Sequence, residues 1–194
     1  MRVTEQLLAG GVDILQLRGK RQTVNELTEL AKTMHALTAP AAIPLIVNDY
    51  VEVARRVPLE GVHVGQDDDS VRTVRERAGR GLLVGKSTHS LAQASAALSD
   101  EPDYIGFGPL FATPTKPEYE PVGLNDISEV HRRVHLPIFC IGGIKLENLE
   151  QVIKAGARCV VIVSGLLQAG DIAGYTRAAR ELLTKKTEIE NLKS

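Results

Sequence analysis

The stretch RCVVIVSG, residues 158–165, decides the fold class that the sequence predicts. Residues 160–163 are four consecutive β-branched apolar residues, a pattern typical of a short strand that is covered on both faces. Strands of this kind belong to parallel sheets, which helices cover on each side. Ser164 and Gly165 follow at once, so polar chemistry begins where the strand ends. The stretch therefore predicts an α/β protein with a parallel sheet.

Six further apolar runs predict the other strands, at residues 13–18, 43–49, 61–65, 81–87, 103–109 and 136–143. Amphipathic segments lie between them, as in 24–37, where apolar residues recur at helical spacing. This βαβα order fits either a (β/α) barrel or an open doubly wound sheet. Glycine or polar residues follow nearly every strand, so polar chemistry collects around a ring of strand ends, which a barrel explains better.

Length and charge limit the protein class. The 194 residues provide for one domain, expected at 1–185, with residues 186–194 as a frayed tail. The chain has 23 Lys and Arg against 24 Asp and Glu, so it has no net positive charge that would attract nucleic acid or an anionic membrane. No apolar run is long enough for a membrane span or signal peptide, which predicts a cytoplasmic protein. Cys140 and Cys159 lie in apolar runs and are expected to be buried thiols.

Charged side chains follow the first three predicted strands. Arg18 and Lys20 stand at alternate positions, where both would point the same way if the strand continued, and a pair of cations suits a phosphate or diphosphate. Asp49 and the acidic run 67–69 follow the next two strands, and Mg²⁺ takes one or two carboxylates together with substrate oxygens. Each feature also has a plainer interpretation, as solvated loop charges or as the start of a helix.

Hydroxyl groups and glycines follow the remaining strands. Ser87 and its neighbours are candidates for substrate contacts or for helix caps. The proline-stiffened segment FATPTKP, 111–117, holds hydroxyls and a cation that could close over an anion. Glycines in IGGI, 141–144, and VSG, 163–165, allow backbone N–H groups to approach a phosphate. His63 lies within a strand and is expected to be a packed or hydrogen-bonded histidine.

Seven motifs in register resemble the thiamine-phosphate synthase family over roughly residues 5–170. They are QLRGK (16–20), VNDY (47–50), GVHVGQDD (61–68), GKSTH (85–89), GFGPLFATPTK (106–116), IGGI (141–144) and VVIVSG (160–165). The family is a (β/α)₈ TIM barrel that joins hydroxymethylpyrimidine diphosphate to hydroxyethylthiazole phosphate, giving thiamine phosphate and diphosphate with Mg²⁺. The resemblance therefore implies a transferase with two small-molecule substrates.

The resemblance also implies a role for individual residues. Asp49 and Asp68 would hold Mg²⁺, with Asp68 chosen over its neighbours because GQDD matches the family's Gly-Gln-acid-Asp pattern. The residues implied around the pyrimidine diphosphate are Gln16, Arg18, Lys20, Asn48, Ser87 and Lys116. The thiazole phosphate would be held by Thr113, Thr115, Gly143, Val163 and Ser164, the last three through their backbone. Arg18, Lys20 and Lys116 would act catalytically by stabilising the departing diphosphate.

The chain departs from the family at its beginning. Members start with a strand before the helix that leads into QLR, whereas TEQLLAGGVD, 4–13, already belongs to that helix. We therefore expect a barrel without its first strand, either because the sequence begins late or because an incomplete barrel is tolerated, with dimerisation through the unpaired strand edges. Two alternative functions remain, a thiazole tautomerase of the same barrel family and a non-catalytic phosphometabolite-binding barrel.

Overall fold

Seven parallel strands lie side by side in chain order in the computed structural model, which describes residues 2–79, 81–113 and 119–191, with side chains as far as residue 185. The strands are β1 (Leu15–Leu17), β2 (Leu45–Asn48), β3 (Gly61–Val64), β4 (Leu83–Thr88), β5 (Tyr104–Phe107), β6 (Ile138–Ile141) and β7 (Cys159–Val161). Six of the seven predicted runs contain one of them, and the run 81–87 matches β4 except for its last residue, Thr88. The parallel sheet predicted from the apolar runs is thereby confirmed.

Helices follow the strands in the repeating pattern of a (β/α) barrel. They are α1 (Arg2–Ala9), α2 (Val24–Thr38), α3 (Val51–Arg56), α4 (Val71–Ala78), α5 (Leu91–Ala96), α6 (Ile127–Arg133), α7 (Leu146–Lys154), α8 (Ser164–Leu167) and α9 (Ile172–Asn191). Side chains fix several of the starts. Thr23 and Glu26 form a capping box on α2, and Ser70 accepts a hydrogen bond from the backbone N–H of Thr73 to begin α4. The helix-start interpretation of the acidic run 67–69 and Ser70 is thus confirmed for Ser70.

The hydrophobic core lies between the sheet and the helices. The strand residues whose side chains face the helices are fully buried there, among them Val47, Val62, Ile105 and Phe107. Burying such side chains stabilises the fold by roughly 1.5–3 kcal/mol each. Strand β7 is only partly buried, and so is Cys159, which the sequence predicted to be covered. The physical reason is its place at the end of the sheet, where one neighbouring strand is missing from the described residues.

The sheet is open between β1 and β7, while the helices outside it still meet. These two strands are the ends of the sheet order and do not pair in the described part of the chain. Outside them Asp13 and Arg180 form an ion pair at 3.1 Å, and a Cβ at Gly10 would lie 2.5 Å from that of Thr176 on α9. The fold is therefore a TIM-type barrel lacking the first strand, as predicted. The domain boundary at residue 185 stays a prediction. None of the described helices combines the length and apolarity that a bilayer crossing requires.

Candidate active site

Parallel strands bring their carboxyl ends to one edge of the sheet, and most of the predicted site residues stand there. Gln16 lies within β1, Asn48 is the last residue of β2, and Ser87 is the last but one of β4. Loops that follow strands contain Arg18, Lys20, Asp49, Asp68, Thr113, Gly143 and Val163, and Ser164 begins α8. Thr115 and Lys116 fall in 114–118 and lie outside the described residues.

Arg18 and Lys20 follow β1 but do not continue it. The strand ends at Leu17, so the alternation of a strand does not govern the direction of these two side chains. Arg18 is partly buried, whereas Lys20 is exposed. The pair can therefore contribute positive charge at the mouth of the barrel, with Lys20 the more mobile of the two cations.

Asp49 turns the chain sharply at the end of β2. Its φ is +66°, a left-handed conformation that aspartate tolerates better than most residues with a Cβ. Its backbone N–H donates to the carbonyl oxygen of His63 at 2.8 Å, which extends the pairing of β2 with β3 by one step. Asn48, just before it, is buried. The carboxylate is thus carried on a backbone fixed against the end of the neighbouring strand.

Asp68 stands beyond the end of β3, next to β2. Its Oδ2 accepts a hydrogen bond of 2.7 Å from the backbone N–H of Gly65. Asp69 instead forms an ion pair with Arg77 on α4, which also pairs with Glu52 on α3. Of the three consecutive acids, Asp69 therefore serves the outer helices, and Asp68 is held at the strand end. Within the described ranges no group of three or more His, Cys, Asp or Glu side chains could hold a metal, so a metal here would depend on two carboxylates and on other oxygens.

A chain of hydrogen bonds crosses the interior of the barrel between two predicted residues from distant strands. The side chain of Gln16 on β1 lies beside that of Tyr104 on β5. The Tyr104 hydroxyl lies 3.2 Å from Nδ1 of His63 on β3, and Nε2 of His63 lies 2.9 Å from the Ser87 hydroxyl on β4. His63 and Tyr104 are buried. The structure thus places Gln16 and Ser87 at the two ends of this chain, and His63 is the hydrogen-bonded strand histidine that the sequence predicted.

Tyr104 is the site residue that sequence reasoning missed. Burial raises its pKa well above the ordinary range; the side chain of Gln16 acts in the opposite direction, and the charge of Asp103 adds to the rise. The side chain therefore stays a neutral phenol at any physiological pH. The sequence pattern carries no signal for this role, because the position of Tyr104 opposite Gly85 follows from the strand register, which the sequence alone does not give.

The hydroxyls at the end of β4 and just after it divide the two roles that the sequence left open. Ser90, in the segment 85–90, takes the capping role, because its side chain accepts a hydrogen bond from the N–H of Gln93 at the start of α5. Thr88 is buried and donates to the carbonyl oxygen of Gly106 at 2.8 Å. Ser87 is held on both sides, since its hydroxyl contacts His63 and its carbonyl oxygen accepts from the amide of Gln66. This leaves Ser87 as a contact group facing the barrel.

Gly143 packs against the loop that carries Thr113. Its φ is +67°, and a Cβ there would lie 2.7 Å from that of Phe111 and 3.0 Å from the carbonyl oxygen of Ala112. Asn148 on α7 donates to the Gly143 carbonyl oxygen at 2.9 Å and so fixes the turn. The structure therefore brings Thr113 and Gly143 to neighbouring segments, as the predicted thiazole phosphate site requires.

Val163 and Ser164 form the turn between β7 and α8. Val163 is 39% exposed with φ −119° and ψ −81°, so its peptide faces no tight packing. The next residue, Gly165, lies close to two side chains from other elements: a Cβ there would be 2.7 Å from the Tyr175 hydroxyl and 3.0 Å from Cγ of Lys145. The hydroxyl of Tyr175 also accepts from the N–H of Leu146, the first residue of α7. The turns after β6 and β7 thus lie side by side.

The described residues on either side of 114–118 lie at this same edge. Phe111 donates its backbone N–H to the carbonyl oxygen of Gly142 after β6. The ring of Tyr119 lies 4.2 Å from that of His89, which follows β4. His89 in turn hydrogen-bonds the Gly108 carbonyl oxygen at 2.5 Å. Phe111 and Tyr119 are therefore held beside the strand ends that carry Ser87 and Gly143.

Comparison with known proteins gives a consistent result. A sequence model of the family described as thiamine monophosphate synthase matches residues 1–166. The thiamine-phosphate synthase of Halalkalibacterium halodurans is 39% identical over 95% of this chain and 88% of its own, and that of Chloroflexus aurantiacus is 41% identical over 96% and 86%. Among solved structures, a thiamine phosphate pyrophosphorylase from Pyrococcus furiosus superposes with a TM-score of 0.88 at 29% identity, over 95% of this chain and 89% of its own.

Proposed function

This chain belongs to the thiamine monophosphate synthase family, and from that premise we propose that it joins hydroxymethylpyrimidine diphosphate to hydroxyethylthiazole phosphate. The products are thiamine phosphate and diphosphate, so the protein is a transferase of thiamine biosynthesis. The observation that carries the proposal is the hydrogen-bonded chain from Tyr104 through His63 to Ser87, with Gln16 beside its Tyr104 end. Gln16 and Ser87 are both implied at the pyrimidine diphosphate, and their position at the two ends of this chain supports a single binding site there.

In this reaction the bond between the methylene carbon of the pyrimidine and the diphosphate oxygen breaks. Its electron pair leaves with the diphosphate, and the thiazole nitrogen donates its lone pair to the methylene carbon. No protein base is needed, because no proton has to be removed from the attacking nitrogen. The barrier lies in charge separation, which cations around the departing oxygens lower. Arg18, Lys20 and Lys116 are the residues we assign to that task.

Asp49 and Asp68 are the proposed ligands for Mg²⁺. Two carboxylates beside the ends of neighbouring strands, together with water and substrate phosphate oxygens, are a donor set that Mg²⁺ accepts. The bond from Gly65 to Oδ2 of Asp68 orients that carboxylate, and no described residue hydrogen-bonds its Oδ1. When bound, the ion would neutralise charge on the diphosphate as it departs. Asp49 and Asp68 would fix that positive charge at the leaving-group side of the site.

The thiazole phosphate is proposed to bind at the turns after β6 and β7. Gly143 allows a close approach of backbone to ligand, and the backbone N–H groups at Val163 and Ser164 stand at the neighbouring turn. Thr113, next to the segment that packs on Gly143, and Thr115 would add hydroxyl donors. Holding the thiazole behind the methylene carbon makes the second step intramolecular in effect, which removes much of its entropic cost.

The test is release of diphosphate from the pyrimidine diphosphate, measured with and without thiazole phosphate and with and without Mg²⁺. The transferase requires all three components for sustained release. A thiazole tautomerase would convert a thiazole substrate with no diphosphate release, and a binding protein would retain thiazole phosphate without turnover. The cytoplasmic location and the homodimer predicted from the sequence are tested by cell fractionation and by sedimentation of the purified protein.

A further inference from the structure

Two members of the hydrogen-bonded chain across the barrel have no part in the reaction as proposed. Gln16 and Ser87 are assigned to the pyrimidine diphosphate, but His63 and Tyr104, which lie between them, are not. Both of these residues are buried, at 7% relative exposure, and both place polar atoms inside the barrel. Burying a polar side chain costs desolvation free energy, which its hydrogen bonds only offset. Apolar residues would fill the same space without that cost, so the pair is expected to have a role beyond packing.

The sheet is built to allow this contact. In the parallel register His63 of β3 lies opposite Gly85 of β4, and Gly85 lies opposite Tyr104 of β5. A Cβ at Gly85 would lie 2.5 Å from the Tyr104 hydroxyl oxygen, so any larger residue would separate the two rings. At Gly106, beside Ser87, a Cβ would lie 3.4 Å from Cε1 of His63, which is an ordinary van der Waals contact. Gly85 thus leaves the space in which the chain forms.

The contacts of His63 admit two directions for the chain, and the chemistry of the substrate atom chooses between them. Ring nitrogens and phosphate oxygens accept hydrogen bonds, so Ser87 can hold the pyrimidine diphosphate only by donating. In that direction the Tyr104 hydroxyl donates to Nδ1 of His63. A neutral imidazole that accepts at Nδ1 carries its proton on Nε2. That N–H donates to the Ser87 oxygen, which leaves the Ser87 proton for another acceptor.

We propose that Tyr104 and His63 are positioning residues that fix Ser87 as a hydrogen-bond donor toward the bound pyrimidine diphosphate. The inference rests on the proposed function, because the acceptor is a ring nitrogen or a phosphate oxygen of that substrate. The amide of Gln66, which holds the Ser87 carbonyl oxygen, keeps the backbone of the donor in place. Reversal of the chain would turn the Ser87 proton toward His63 and present a lone pair to the same substrate atom, which would weaken binding.

The tautomer of His63 tests the direction without any need for turnover. Long-range ¹H–¹⁵N correlation spectra of the ¹⁵N-labelled protein at about pH 8.5, above the ordinary titration range of imidazole, distinguish the two neutral forms. The His63→Gln variant identifies which of the five histidines gives the signal. We expect the Nε2–H tautomer in the unmodified chain and a mixture in Tyr104→Phe. The Nδ1–H tautomer in the unmodified chain would overturn the proposal.

A double-mutant cycle tests whether the effect passes through Ser87. Tyr104→Phe keeps the ring beside Gly85 and removes only the hydroxyl, so folding is preserved. We expect it to lower kcat/KM for the pyrimidine diphosphate about ten-fold, the value of one directed hydrogen bond, but by less than about two-fold in a Ser87→Ala background. Equal losses in both backgrounds contradict the proposal, since Tyr104 would then act independently of Ser87.

A matched control separates this effect from the loss of any buried hydroxyl. Thr28 on α2 is buried and donates to the Val24 carbonyl oxygen at 2.7 Å. No assigned site residue lies on α2, so Thr28→Val is expected to leave kcat/KM unchanged. The two proposals also fail separately. An unmodified chain that releases no diphosphate contradicts the proposed function, whereas the direction of the hydrogen-bonded chain is still decided by the tautomer of His63.

Discussion

Tyr104 and His63 stand on strands that are not neighbours, yet the Tyr104 hydroxyl lies 3.2 Å from Nδ1 of His63. The strand between them contributes Gly85 at that level, and the missing side chain lets the two rings meet at a centroid distance of 5.5 Å. Gly85→Ala should therefore push the rings apart without removing a polar group. We expect loss of the Nε2–H tautomer preference of His63 and a several-fold rise in KM for the pyrimidine diphosphate, measured by NMR and steady-state kinetics.

The carboxylates at the ends of β2 and β3 give the first test of the metal proposal. We expect Asp49→Asn and Asp68→Asn each to lower kcat about 100-fold and to raise the Mg²⁺ concentration needed for half-maximal rate, because each change removes a carboxylate that would hold Mg²⁺ beside the departing diphosphate. Asp67→Asn, an exposed acid of the same run, is the matched control and should behave as the unmodified chain. An unchanged Mg²⁺ dependence in both site variants would exclude these two ligands.

Lys116 is expected to stabilise the leaving group. Lys116→Ala should lower kcat by about 10²–10³ while leaving the thermal midpoint unchanged, because a cation aimed at developing charge acts on the transition state. Lys32→Ala, which removes a cation from the exposed Glu29 pair on α2, is the control for a general change of charge. Near-normal turnover of Lys116→Ala would remove this residue from the mechanism.

Gly143 and Gly123 form a matched pair for the thiazole phosphate site. Both have positive φ, +67° and +72°, but a Cβ at Gly123 has open space whereas one at Gly143 meets Phe111 and Ala112. Each change to Ala should cost about 1–2 kcal/mol of stability from the left-handed conformation alone. Only Gly143→Ala should also raise KM for thiazole phosphate. An equal KM for the two variants, measured at saturating pyrimidine diphosphate, speaks against backbone recognition at Gly143.

Cys140 should make the fold sensitive to alkali. Burial raises the pKa of its thiol from 9 to about 12, with a further contribution from Cys159. Between those pH values the thiol keeps its proton in the folded chain and has lost it in the unfolded chain. The contribution of this thiol to the free energy of unfolding is therefore fully present below pH 9 and is lost as pH rises toward 12. We expect Cys140→Ala to reduce the slope of that fall by up to about 1.4 kcal/mol per pH unit, as measured by urea unfolding at pH 8.5, 9.5 and 10.5. Identical slopes in the two proteins contradict this.

Much of the fold could be predicted because its signals are local. Apolar runs mark all seven strands, and the polar residues that follow them indicate a barrel rather than an open sheet. The burial of β7 could not be predicted in this way. Residues 159–161 have the composition of a central strand, but their exposure depends on whether a neighbour lies beyond them.

The site was predictable residue by residue but not as an assembly. Ser87 and the two carboxylates stand at the ends of apolar runs, where the sequence pattern draws attention to them, whereas Gln16 was implied only by the family resemblance. In the sequence Tyr104 looks like an ordinary aromatic residue of a strand. Its role depends on its position two strands away from His63, with Gly85 of the intervening strand in register between them. The end of β1 at Leu17 was also hidden, because the two cations after it continue an alternating pattern that the backbone does not follow.

The central claim is the transfer reaction itself, and formation of thiamine phosphate is its most direct measure. Purified protein should convert pyrimidine diphosphate and thiazole phosphate, in the presence of Mg²⁺, into thiamine phosphate and diphosphate in equal amounts, identified by mass and by chromatography. Omission of either substrate should abolish both products. Binding of both substrates with no thiamine phosphate formed, at any Mg²⁺ concentration, would contradict the account.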